Sequence, residues 1–135
     1  MIPVQQTVLK HDPDNGQHGD CFRACVCSLL ELSIGEVPHF TLLPDDIWWD
    51  GFVSYMRGRG YDVHWGKYGL CIEPKDITEF YIITGTSPRG VHHAVIYSDG
   101  KLVHDPHPDG SGVVDIVNYI WITIVTGKQI GRAHV

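Results

Sequence analysis

The chain has 135 residues and weighs 15.1 kDa, a size that fits one domain with a real core. Its 43% apolar and 19% charged content argues against disorder, and ten Lys+Arg against sixteen Asp+Glu leave a formal charge of −6, which excludes the basic footprint of a nucleic-acid binder. No apolar run approaches the roughly 18 residues of a membrane span, and no basic start followed by an apolar stretch marks a secretory signal. A cytoplasmic protein without membrane or nucleic-acid partners is expected.

Ile2-Pro3-Val4-Gln5-Gln6-Thr7 reads as a short extended segment, and His11-Asp12-Pro13-Asp14-Asn15-Gly16 is dense in turn formers. A helix is predicted from Asp20, read as its N-cap, because no Gly or Pro interrupts the residues that follow. Cys21, Ala24, Cys25, Ser28, Leu29 and Leu32 fall on one stripe of it. Ser33-Ile34-Gly35-Glu36 has the form of a capping box for one short turn, ended by Pro38. Asp45 or Asp46 should cap a second helix running to about Arg57, with Trp48, Phe52 and Tyr55 at helical spacing and Gly58-Arg59-Gly60 closing it.

Strand signals follow. Val63 and Trp65 alternate with polar neighbours, and Phe80 to Thr84 is rich in β-formers. A loop from Gly85 to Gly90 leads into Val91 to Tyr97 and Lys101 to His104, which flank Ser98-Asp99-Gly100; Asp-Gly suits a type I′ hairpin turn. Tyr119 to Thr126 is the last strand expected. Helices first and an antiparallel sheet after them make an α+β domain. The tail Ile130-Gly131-Arg132-Ala133-His134-Val135 resembles the translation of a sequencing-adapter oligonucleotide, so the domain is expected over 1–128, with 129–135 a non-native tail.

Cys21, Cys25, Cys27 and Cys71 do not form a disulfide framework, and without a signal peptide the thiols are expected to be reduced. Their C-x-x-x-C and C-x-C spacings depart from the C-x-x-C pairs of zinc sites, and no metal or other cofactor is expected. A cysteine at a helix N-terminus sits where partial positive charge favours the thiolate. Cys21 meets that condition; Cys25 and Cys27, further along the helix among apolar neighbours, read as packing residues. A thiol nucleophile needs a base, and the base an orienting group. His93 opens a strand, with His92 pointing the other way, and the return strand brings Asp105 back near the level of His93.

With those residues in place, the sequence resembles the papain-like cysteine peptidase superfamily. It looks closest to the bacteriocin-leader peptidases and to small proteins encoded by bacteriophages. The matching stretches are Ile2-Pro3-Val4-Gln5-Gln6, Gly19-Asp20-Cys21-Phe22-Arg23-Ala24-Cys25, His92-His93-Ala94-Val95 and Val103-His104-Asp105-Pro106, in the family's order over about residues 1 to 115. The resemblance implies a papain-like α+β fold with Cys21 as nucleophile, His93 as general base and acid, and Asp105 as its orienting residue. It also implies a Gln that helps the Cys N–H hold the oxyanion. The papain spacing puts Asn15 there; the leader-peptidase pattern points to Gln6, with Gln17 the second choice. The family's frequent Cys-Gly is Cys21-Phe22 here.

The chemistry implied is thioester acyl transfer on a peptide or amide substrate, encoded by a phage. The alternative is a catalytically weak binding module that sequesters a host factor or a small signalling molecule. Three further features carry readings of their own. His92, His93, His104 and His107 with Asp105 gather on one hairpin, but lack a familiar metal spacing such as H-E-x-x-H. Arg89, just before His93, could bind a carboxylate or phosphate of the substrate, or sit in a solvated turn. Trp48, Trp49 and Trp65 read as core rather than as a binding platform.

Overall fold

The computed structural model describes residues 1–69 and 80–125. Cys71, Thr126 and the tail 129–135 lie outside the described residues. Two helices, α1 (Cys21–Leu30) and α2 (Trp48–Gly58), precede five strands: β1 (Tyr61–Lys67), β2 (Tyr81–Thr86), β3 (His92–Ser98), β4 (Lys101–His104) and β5 (Asp115–Ile124). All pair antiparallel in one sheet of order β1-β5-β2-β3-β4. The α+β expectation holds at this level. Among the described residues no helix is long and apolar enough to cross a membrane.

The helices pack on one face of the sheet. Cys25 and Val26 of α1 and Phe52 and Met56 of α2 meet Ile82, Ala94, Ile96 and Ile120, one from every second position of β2, β3 and β5. Phe22 pins the first turn of α1 to α2, its ring lying edge-on to Trp48 and Phe52 at 5.3 and 4.9 Å between centroids. Tyr81, Ile83, Val95 and Tyr119 form a second buried cluster on the opposite face.

Local sequence rules account for much of this. The β3–β4 turn has Asp99 and Gly100 at φ 52° and 75°, the double left-handed turn expected of Asp-Gly. The capping box forms, with Glu36 Oε1 accepting Ser33 N–H at 3.0 Å and Ser33 Oγ at 2.7 Å. Three expectations shift. Helix α1 stops at Leu30, before Leu32, because Glu31 turns left-handed at φ 58° and Cys27 O takes the N–H groups of both Glu31 and Leu32. Neither Asp45 nor Asp46 caps α2: Pro44 O accepts from Ile47 and Trp48, so a turn occupies those positions and the helix starts at Trp48. Strand β5 begins at Asp115, earlier than expected, since Asp115 and Ile116 pair with Thr86 and Gly85 of β2.

A larger correction concerns Asp20. It does not cap α1 with its side chain. Its carboxylate, fully buried, instead accepts Thr7 N–H and Val8 N–H at 2.8 Å and Thr7 Oγ at 2.6 Å. The N-terminal segment is thereby clamped alongside α1. Ser28 fixes its other end, through Ile2 N–H to Ser28 O at 3.1 Å and Val4 N–H to Ser28 Oγ at 2.9 Å. On the sheet side, Val4 O bonds the His104 ring at 2.8 Å and Gln6 N–H donates to Pro106 O at 3.1 Å.

Candidate active site

The clamp delivers Gln6 to a cleft of about 240 Å³ that Cys21, His92, His93 and Arg89 also line. Cys21 is the first residue of α1 and is half-buried. Its N–H is among the helix's orphan donors, and no hydrogen bond from it is found among the described residues. Thiol and N–H therefore share the positive end of a ten-residue helix.

His93 is buried at 2% exposure, and its Nε2 lies 2.7 Å from Asp105 Oδ1. Asp105 also accepts His107 N–H at 2.9 Å and Gly112 N–H at 2.8 Å. A carboxylate taking two backbone donors is acceptor-only, so Nε2 carries the proton and Nδ1 is left for the thiol. Burial alone would disfavour the charged ring. The Asp105 bond, followed by the hydrogen-bonding and charge interactions of Cys21, outweighs it and raises His93 to about 9. Burial likewise works against the Asp105 charge, yet the His93, His107 and Gly112 bonds hold its carboxyl below the usual range.

Gly85 sits opposite His93 in the β2–β3 register, at a shift in the β2–β5 ladder. A Cβ there would lie 2.0 Å from Asp115 O and 2.6 Å from Val113 Cγ1, so only glycine lets β5 approach the strand that backs His93.

Cys25 and Cys27, the other two thiols among the described residues, are packing groups, as expected. Burial pushes Cys25 well above the ordinary thiol range and Cys27 up to about 11, and the Cys27 thiol donates to Ser33 O at 3.5 Å.

The remaining expected site residues divide. Gln6 is buried; its Nε2 donates one N–H to Val8 O at 2.8 Å, and its Oε1 is buried without a partner among the described residues. Gln17 is exposed, is bridged to Asp12 in the turn, and does not line the cleft; Asn15 bonds Asp12 as well. Arg89 does line the cleft, but its Nη1 is engaged by Asp109 and by Ser111 Oγ at 3.1 Å. It ties the loop before His93 to the loop that donates to Asp105. His104 and His107 are committed to Val4 O and to Asp109 N–H. His92 and His93 both line the cleft, His92 also facing the tryptophans. Trp65 is 55% exposed and not core, whereas Trp48 and Trp49 are half-buried.

Sequence reasoning missed the clamp. Thr7 and Asp20 are thirteen residues apart, and nothing in either residue's neighbourhood announces the pairing. Compared with protein-family models, curated proteins and solved structures, the chain matches none, so the chemistry is read from the cleft itself.

Proposed function

We propose that this protein is a papain-like cysteine hydrolase that cleaves a peptide or amide bond through a Cys21 thioester. The observation that carries the reading is an imidazole oriented by a buried carboxylate and lining one cleft with a thiol at the start of a helix.

Cys21 Sγ gives its proton to His93 Nδ1 and attacks the carbonyl carbon, and the carbonyl electron pair moves to oxygen. Cys21 N–H and the free N–H of the Gln6 amide are the donors available to that oxyanion, each worth about 3 to 4 kcal/mol in comparable sites. The intermediate collapses, the C–N bond breaks, and the His93 Nδ1 proton goes to the departing amine. Water then adds to the thioester, gives its proton to His93, and releases the acid and the thiol. Asp105 stays ionised and holds the ring throughout.

Iodoacetamide at about pH 6.5, well below the ordinary thiol value of about 8.5, tests the nucleophile, with labelled cysteines identified by mass spectrometry. Cys21 should label far faster than Cys25 and Cys27, and p-nitrophenyl acetate should leave one acetyl group on Cys21. Equal, slow labelling of all the thiols would overturn the proposal.

A further inference from the structure

Beside the cleft lies a second hollow of about 240 Å³. The two share Trp48, Thr84 and His92, and Trp49, Trp65, Asn118 and Ile120 complete the second. The hollow is smaller than the roughly 300 to 1,000 Å³ of pockets that take drug-sized ligands, so it suits a single side chain.

Three indole rings come from two elements. Trp48 and Trp49 open α2 and stand edge to face at 5.7 Å, and Trp65 projects from β1, opposite Ile120 of β5. Thr84 and Asn118 are paired across β2 and β5. Thr84 is 6% exposed, and neither its Oγ1 nor Asn118 Oδ1 has a hydrogen-bond partner among the described residues. Buried polar oxygens are rarely left so, and two side by side on one wall ask for a donor. Among the described residues, no carboxylate and no Lys or Arg lines the hollow. His92 loses proton affinity through partial burial and through the positive charge of His93 and His11. A cationic ligand would meet that potential with no counter-charge, although tryptophan faces alone would favour it.

We propose that this hollow is the side-chain subsite of the hydrolase, taking a neutral aromatic side chain with a hydrogen-bond donor, tyrosine or tryptophan, next to the carbonyl that Cys21 attacks. The assignment rests on the thiol-hydrolase reading for its place beside the scissile bond. The ring packs against the indoles, and its O–H or N–H reaches toward Thr84 and Asn118.

Chloromethyl ketones of N-acetylated Tyr, Trp, Phe, Leu and Arg test it on the full chain, through the rate of Cys21 alkylation divided by the iodoacetamide rate of the same variant. Tyr and Trp reagents should exceed Leu by about tenfold, with Phe between and Arg slowest. Trp65→Ala, at an exposed position, should collapse the Tyr-over-Leu ratio, and Thr84→Val should lower the Tyr-over-Phe ratio. Equal Tyr and Leu rates at a fast-labelling Cys21, or a preference for Arg, would overturn the subsite and leave the hydrolase standing. Should Cys21 fail to label, the hydrolase reading falls. Indole N–H shifts in NMR on adding N-acetyl-tyrosinamide then decide the subsite alone: shifts at Trp48 and Trp65 support it, and their absence overturns it.

Discussion

Asp105→Asn removes the charge behind His93 while keeping the side chain's shape. The carboxylate serves three donors, His93 Nε2 and His107 N–H on Oδ1 and Gly112 N–H on Oδ2. An amide has one acceptor oxygen. With that oxygen toward His93, the new NH₂ faces Gly112 N–H; flipped, it faces both His93 and His107. A hydrogen bond to a charged group is worth about 1.5 to 3 kcal/mol, and about 1.4 kcal/mol corresponds to one pKa unit. Losing the charged partner should therefore move His93 down by about 1 to 2 units, from the wild-type value of about 9. The assay is an NMR titration of the imidazole signals in both proteins. The sign for stability follows. His93, raised on folding, adds stability that is full below its unfolded value of about 6.5 and lost as pH climbs through about 9. Asp105, lowered on folding, adds stability present above the ordinary carboxylate range and lost as pH falls through its depressed value. A wild-type His93 that titrates near 6.5, or a variant that titrates with the wild type, would refute the reasoning.

Further outcomes are expected elsewhere. Cys21→Ala should abolish acetylation by p-nitrophenyl acetate, while Cys27, at about 11, stays unlabelled by iodoacetamide at neutral pH in the folded protein. Gln6→Ala should slow turnover by about 10² to 10³-fold with little change in KM, as loss of one oxyanion donor does, measured by steady-state kinetics. Asp20→Ala removes the acceptor of the Thr7 and Val8 N–H donors; urea denaturation should show a loss of about 1 to 3 kcal/mol per orphaned donor. Gly85→Ala forces a carbon within 2.0 Å of Asp115 O, and thermal melts should show a large destabilisation or no folded protein.

The parts of this architecture legible in the sequence are those whose causes are local. The Asp99-Gly100 turn, the Ser33–Glu36 box and the apolar stripe of α1 each depend on residues a few positions apart. The hairpin then brings Asp105 back toward His93, with a one-residue shift between Ile96 and Tyr97 that the turn residues do not announce. Helix boundaries failed where backbone groups competed: Pro44 O takes donors that Asp45 or Asp46 was expected to serve. The roles of Arg89 and Trp65 also lay out of reach. The first depends on Asp109, twenty residues on; the second depends on β1 being an edge strand, which follows from the strand order.

The N-terminal segment shows the boundary most sharply. It has no helix or strand of its own, so no periodicity could place it. Its backbone polar groups are nonetheless satisfied one after another, by Ser28, His104, Pro106 and Asp20. Each of those residues looks, by itself, like something else: a small core residue, a metal ligand, a turn former, a helix cap. Their common effect is to hold one uncharged amide, Gln6, at the cleft that Cys21 and His93 share. Asp20 precedes Cys21 in the chain and grips the segment that carries Gln6, so one buried carboxylate ties the start of α1 to the residues that bring Gln6 to the cleft. A neutral N-cap would have served the helix, but the fully buried Asp20 side chain serves the N-terminal segment instead.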